Sequence, residues 1–345
     1  MATVHRRPAP SGFTLIELTI SAMLLSLLVY AVSTLAVTGG EAQEYARRLN
    51  RATEITHDLL DQMRTELASA VRVFGNDAEG AANLALWDLA GAPVPLASRR
   101  LPTALASGSP RPDTTGAEIT GNSLFYARLA WSDRFQCTSG NQYYVDVYRW
   151  VYYYLVAEDG GPTSGRPIGL NIVRLESEPL IDALGIDRIS NATDKAQVLQ
   201  HLYTRTPDFA GEIHPACVMV WRRGAMPAVL GTLRMIDDSS WVLRDSPVGS
   251  RPSPWNILRS TAEVQGLLSY RHHSVATNFA PANFGIGNYG LVSSANGGFP
   301  HGFEVQITGP ASARQIVLHL VVASTMRPGQ WAWSDVQVSV DARDL

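Results

Sequence analysis

The 345-residue chain is 46% hydrophobic and carries a net charge of −3. That apolar content suffices for a sizeable core and excludes a disordered chain, and the length exceeds one small domain. Acidic and basic residues nearly balance, with Lys195 the one lysine, so no basic field marks a nucleic-acid partner.

Residues 1–12 hold Arg6, Arg7, Pro8 and Pro10 and end at Gly12. Phe13, Thr14, Leu15, Ile16, Glu17 and Leu18 then open an apolar run through Ile20, Met23, Leu24, Leu25, Leu27, Leu28, Val29 and Val32 to Val37, with Glu17 its one charge. About 26 residues at 1.5 Å rise give roughly 39 Å of helix, more than the roughly 30 Å hydrocarbon core of a bilayer. The arginines place the leader in the cytoplasm and everything beyond Thr38 across the membrane.

Glu17 is out of place in such a segment, since a carboxylate near mid-bilayer costs about 2.5–3.5 kcal/mol on insertion scales and marks a function with a partner. A cut after Gly12 creates that partner: the new amino group of Phe13 is cationic at neutral pH. In a stack of molecules, Glu17 of one subunit pairs with Phe13 of the next. A buried charge without its partner costs about 3–5 kcal/mol, so pairing favours registered assembly.

The basic Arg6 and Arg7 followed by Gly12, Phe13, Thr14, Leu15, Ile16, Glu17 and Leu18 ahead of a long apolar helix resemble the class III signal of type IV pilins and type II secretion pseudopilins. The likeness covers about residues 6–38. It implies cleavage between Gly12 and Phe13 by prepilin peptidase, N-methylation of Phe13, and docking into a filament guided by Glu17. Methylation keeps the amine cationic, so the pairing argument survives it.

Beyond Gly39 and Gly40, which can loosen or hinge the helix, residues 41–74 contain neither proline nor glycine, and the helix is expected to continue to Phe74. Leu49, Ala52, Ile55 or Thr56, Leu59, Leu60, Met63, Leu67, Ala70 and Val71 recur at three- and four-residue spacing, an amphipathic stripe for packing on a head. Residues 75–121, with five scattered prolines, read as a loop-rich connection holding one short strand or helical turn around 84–89.

Residues 122–345 form the expected β-rich head, with subdomains dividing near 205. Strand patterns cover 123–131 and 143–157; the second is joined through Asp159, Gly160 and Gly161 to 168–175 as a hairpin. A helical island spans 194–203, capped by Thr193 or Asp194. Strand signals return at 216–222, 229–236, 263–272, 303–308, 315–325 and 335–340, and residues 278–302 are loop-like. A long helix followed by many strands is an α+β pattern. It agrees with what the resemblance implies, a mainly antiparallel sheet packed on the outer half of the helix. The size of the head points to a minor pilin or minor pseudopilin.

Cys137 and Cys217, the two cysteines, lie outside the cytoplasm in this topology. They either close a loop of about 80 residues, stabilising by around 4–5 kcal/mol on the chain-entropy model, or remain separate buried thiols. His272, His273, His301 and His319 lack metal-site spacing, and adjacent strand residues face opposite ways, so no metal or other cofactor is expected. Asn76, Asp77 and Glu79 read as a solvated turn rather than a calcium loop. Tyr143, Tyr144, Tyr148, Trp150 and Tyr152, Tyr153 and Tyr154 offer an adhesive surface but fit core and cross-strand packing better. No Walker loop, nucleophile elbow or dinucleotide fingerprint occurs.

The expected function is therefore a non-enzymatic structural subunit of a type IV pilus-like or type II secretion filament. Its partners are other pilins or pseudopilins, prepilin peptidase, an inner-membrane assembly platform and membrane lipid. It crosses the bacterial inner membrane once, with its head extracytoplasmic. The competing reading is a tethered or secreted binding protein or enzyme with a conventional signal cut near Thr34, Leu35 and Ala36.

Overall fold

The computed structural model describes residues 14–86, 92–111, 118–158, 169–177, 180–205, 219–221, 255–257, 273–276, 302–327 and 330–342. The chain divides into two compact units, Met1–Arg48 and Leu49–Leu345. Helix α1, Leu15–Leu67, supplies the described part of the first and opens the second, continuing across Gly39 and Gly40.

Within the second unit α1 buries Ala52, Ile55, Thr56, Leu59, Leu60, Met63 and Leu67 and exposes Glu54, Asp58, Asp61 and Arg64. This is the three-and-four stripe read from the sequence. The helix ends at Leu67 rather than at Phe74. The Ser69 hydroxyl donates to the Glu66 carbonyl at 2.7 Å, and Ala70–Phe74 becomes strand β1. Val71, Val73 and Phe74 fit a pleated surface better than a helix, and Ala70, Arg72, Val73 and Phe74 pair with a neighbouring strand.

The described part of residues 75–121 also holds more regular structure than expected. Helix α2, Ala78–Leu86, starts six residues before the anticipated turn, because the Asp77 carboxylate accepts the Gly80 N–H at 2.8 Å as its N-cap. Strand β2, Ala104–Leu105, follows, then β3, Ser123–Gln136, and β4, Gln142–Glu158. Strand β5, Gly169–Glu176, completes the predicted hairpin with β4. Strand β6, Leu180–Asp182, and helix α3, Ala183–Asp187, were not foreseen. Helix α4, Ala192–Arg205, is the anticipated island; its cap is Asn191, whose side chain accepts the N–H groups of Thr193 at 2.9 Å and Asp194 at 3.3 Å.

Strands β7, Met219–Trp221, β8, Trp255–Ile257, β9, His273–Val275, β10, Phe303–Thr308, β11, Arg314–Arg327, and β12, Gln330–Ala342, follow. The strands expected at 229–236 and 263–272, and the loop at 278–301, lie outside the described residues, as does 206–218 beside the expected division near 205. The described strands form one sheet in the order β1-β3-β4-β5-β9-β11-β10-β2, with β12 on β11, β6 on β4, β7 on β6 and β8 on β5. Pairing is antiparallel except β2 with β10 and β6 with β7. The architecture is α+β.

Both faces of this sheet are covered. Leu124, Tyr126, Val151, Tyr153, Val305, Leu318 and Leu320 pack with the α1 stripe, while Phe125, Trp150, Tyr152, Tyr154 and Val173 pack with Phe74, Leu101 and Leu84 on the other face. A bulge between Leu129 and Trp131 keeps Trp131 and Phe135 on the α1 side of the sheet, where a third cluster forms with Val145, Val147, Ile186, Val198 and Leu202 under α3 and α4. A charged band separates the two clusters of that face. Glu66 accepts Tyr126 Oη and Tyr153 Oη at 2.7 Å each and pairs with Arg174 at 3.0 Å, and Glu176 joins Arg174, Arg128 and Arg149. Burial alone raises the Glu176 carboxyl pKa, but the three guanidinium groups bring it below the usual range.

Candidate functional site: the exposed apolar helix

At the start of α1, Thr14 and Glu17 cap each other. The Thr14 N–H donates to Glu17 Oε2 at 3.0 Å, and the Glu17 N–H donates to Thr14 Oγ1 at 3.3 Å. The threonine hydroxyl also donates to Oε2, at 2.9 Å. This reciprocal arrangement is a capping box, and it satisfies donors that the first turn of a helix leaves open. The spacing Thr14-x-x-Glu17 is its sequence signature, which a reading of Glu17 solely as a misplaced charge passes over. All these bonds fall on Oε2, so Oε1 faces no donor among the described residues.

Residues 14–43 are exposed without exception, and residues 18–40 carry no charge. Leu15 is 82% exposed, Leu24 61% and Leu25 61%, on different sides of the helix. Three polar side chains inside the run are turned inward on the backbone: Thr19 donates to the Leu15 carbonyl, Ser26 to Ala22 and Thr34 to Tyr30, at 2.8–2.9 Å. Such bonds leave few groups that need water. Soluble surfaces rarely expose contiguous apolar patches beyond a few hundred Å². The helix is long and apolar enough to cross a membrane, and none of its apolar window is buried within the chain.

The remaining candidates are placed as follows. Gly12 and Phe13, with the leader, lie outside the described residues, and so do Cys217, His272 and His301. Cys137 is buried, its thiol 3.7 Å from the Asp194 carbonyl oxygen, and burial together with the Asp194 charge pushes its pKa up. The Asn141 amide and the Tyr143 hydroxyl bond the Asp194 carboxylate at 2.8 and 2.9 Å and hold it below the usual range. Asp77 is engaged as a cap and Glu79 bonds Arg72, so the carboxylates of that turn serve the fold. His319 Nδ1 donates to Glu304 at 2.7 Å and Nε2 to Asp335 at 2.5 Å. Among the described residues no group of three or more His, Cys, Asp or Glu is arranged to hold a metal.

Of the aromatic set, Tyr148, Trp150, Tyr152, Tyr153 and Tyr154 are core, and Tyr144 is 78% exposed. Sequence reasoning missed the Glu66 network, because its members lie up to 108 positions apart and only the fold assembles them. No protein family, curated protein or solved structure matches this chain.

Proposed function

We propose that the chain is a non-enzymatic structural subunit of a thin envelope-spanning filament, of the pilin or pseudopilin kind. In this reading prepilin peptidase removes residues 1–12, Phe13 becomes the methylated amino terminus, and α1 passes from the lipid of the inner membrane into the filament core. The head stays extracytoplasmic, and other pilins or pseudopilins and an assembly platform are its partners. The observation that carries the proposal is the uncharged, wholly unburied helix surface of residues 18–40, headed by Gly12, Phe13 and Glu17. A surface of that kind needs lipid or copies of itself around it.

The capping box refines the role of Glu17. Thr14 uses one carboxylate oxygen, and the other is left for the ammonium of a neighbour's Phe13. A conventional signal cut near Ala36 instead leaves a chain beginning at Val37, inside a helix that runs on to Leu67. Mass spectrometry of the mature amino terminus from envelope protein decides between them. N-methylated Phe13 is expected; a terminus at Val37 or an intact Met1 overturns the proposal. In the same preparation, Gly12→Val is expected to stay at precursor size.

A further inference from the structure

A groove of about 270 Å³ lies along one edge of β4. Strand β4 pairs with β3 along its length, but on its other side β6 reaches only Val147 and Tyr148. Residues 143–146 therefore have one strand neighbour among the described residues. That side of the strand forms part of the wall of the groove, with Ile181, Ile186, Ile189 and Val198 contributing to the apolar lining. A strand edge is a row of unpaired N–H and C=O groups, and its natural complement is another extended backbone.

The two sides of this edge differ chemically. Val145 and Val147 belong to the cluster with Ile186 and Val198. Tyr144, Asp146 and Tyr148 alternate with them and so point to the opposite face. Asp146 bonds the hydroxyls of Ser132, at 2.6 Å, and Tyr148, at 3.4 Å, both of them neutral donors. Asp146 is itself exposed and lies in the lining of the groove. Arg188 is the one cationic residue of the lining.

We infer that this edge docks an extended peptide segment of a partner protein, whose alternate residues are aliphatic toward Ile186 and Val198 and basic toward Asp146. The backbone of the segment extends the sheet by one strand, and the alternation selects its sequence. The inference is independent of the amino-terminal helix.

The test uses the full-length protein in nanodiscs and a labelled seven-residue peptide of alternating valine and arginine, followed by fluorescence anisotropy. Saturable binding is expected. N-methylation of alternate peptide nitrogens, which removes strand pairing, and replacement of the arginines by glutamate are each expected to weaken binding by about tenfold or more. Gly185 lines the groove and is exposed, and a Cβ there meets only Asp182 atoms at 3.9–4.0 Å, so Gly185→Phe should fill the groove and abolish binding without lowering the thermal transition. Asp146→Asn provides a second variant, expected to reduce the preference for arginine over glutamate. No saturable binding, equal binding of the methylated peptide, or binding untouched by Gly185→Phe overturns the inference. So does a simple sugar that competes for the groove while the peptide does not bind, or self-association of the protein lost in Gly185→Phe with no peptide binding.

Discussion

One helix follows two rules. In residues 14–48 the apolar side chains point in every direction and stay exposed, whereas in residues 49–67 they recur on one stripe and are buried. Each half holds an acid whose placement expresses the difference. Glu66 is enclosed by Tyr126, Tyr153 and Arg174 of its own chain, while Glu17 is bonded, among the described residues, through one oxygen by Thr14 alone. The lesson is that apolar periodicity, rather than apolar content, says whether a helix is completed by its own chain. A uniform coat needs a surrounding that the chain does not supply.

The strongest break of the comparison exchanges the two acids for neutral residues. Glu66→Ala leaves two buried tyrosine hydroxyls without their acceptor and takes from Arg174 one of its two carboxylate partners, Glu176 remaining, and is expected to destabilise the head by about 3–5 kcal/mol in urea unfolding. Glu17→Val is expected to leave that unfolding curve in place. Its effect should appear in assembly, where about 3–5 kcal/mol for a neighbour's unpaired ammonium lowers incorporation by roughly two to three orders of magnitude. Normal incorporation of Glu17→Val, measured against the membrane pool in sheared filaments, rejects the pairing mechanism.

Truncation of a leucine in each half sharpens the same contrast. Leu59 is 2% exposed, so Leu59→Ala is expected to cost about 2–5 kcal/mol of head stability. Leu24→Ala, at an exposed site, should stay within about 0.5 kcal/mol in the same measurement. A Leu24→Ala effect as large as that of Leu59→Ala would show that the first half belongs to the folding unit of the head.

What the sequence revealed follows the same division. The uniform run and the three-and-four stripe are local patterns, and α1 matches them up to Leu67. Strands β10, β11 and β12 were legible for a similar reason, since Val305, Ile307, Ile316, Leu318 and Leu320 alternate with polar residues such as Glu304, Gln306 and His319. The misses are decided at a distance. Residues 70–74 extend a helix-compatible stretch until pairing with β3 claims them, and β6 with α3 is too short to signal itself. Tyr152, Tyr153 and Tyr154 read as one aromatic run, yet the sheet sends Tyr153 to Glu66 and its neighbours to the opposite core. For the candidate site, Glu17 was legible and its cap with Thr14 was overlooked. The groove beside β4 depends on where β6 stops, which no local pattern records.

His319 offers a pH test confined to the head. Burial pushes the imidazole pKa down, but the bonds to Asp335 and Glu304 and their charges outweigh it and raise the value to about 9. The folded pKa lies above the ordinary value near 6.5, so the imidazolium contributes fully below about pH 6.5 and its contribution is lost as pH rises through about 9. The change is on the order of 3 kcal/mol. Urea midpoints between pH 6 and 10 should fall across that window, and His319→Gln should flatten this part of the slope. Equal slopes in both proteins would remove His319 from the account.

The smallest effects come from the caps, and they separate two explanations of Glu17. Asn191→Ala removes the acceptor at the start of α4, which packs Val198 and Leu202 into the head; about 1 kcal/mol is expected, or roughly 2 °C in Tm. Thr14→Ala removes a cap of similar strength from a helix start that the head does not contain, so Tm should not move. Incorporation into filaments then becomes informative. If Glu17 acts by capping, Thr14→Ala breaks the same capping box and should reduce incorporation as much as Glu17→Val does. If Glu17 acts through the oxygen that Thr14 leaves open, Thr14→Ala weakens only the first turn. The loss should then be about fivefold, the size of a 1 kcal/mol cap, against roughly two to three orders of magnitude for Glu17→Val. The expected result is the second, because the neighbour's ammonium still finds its carboxylate when Thr14 is replaced.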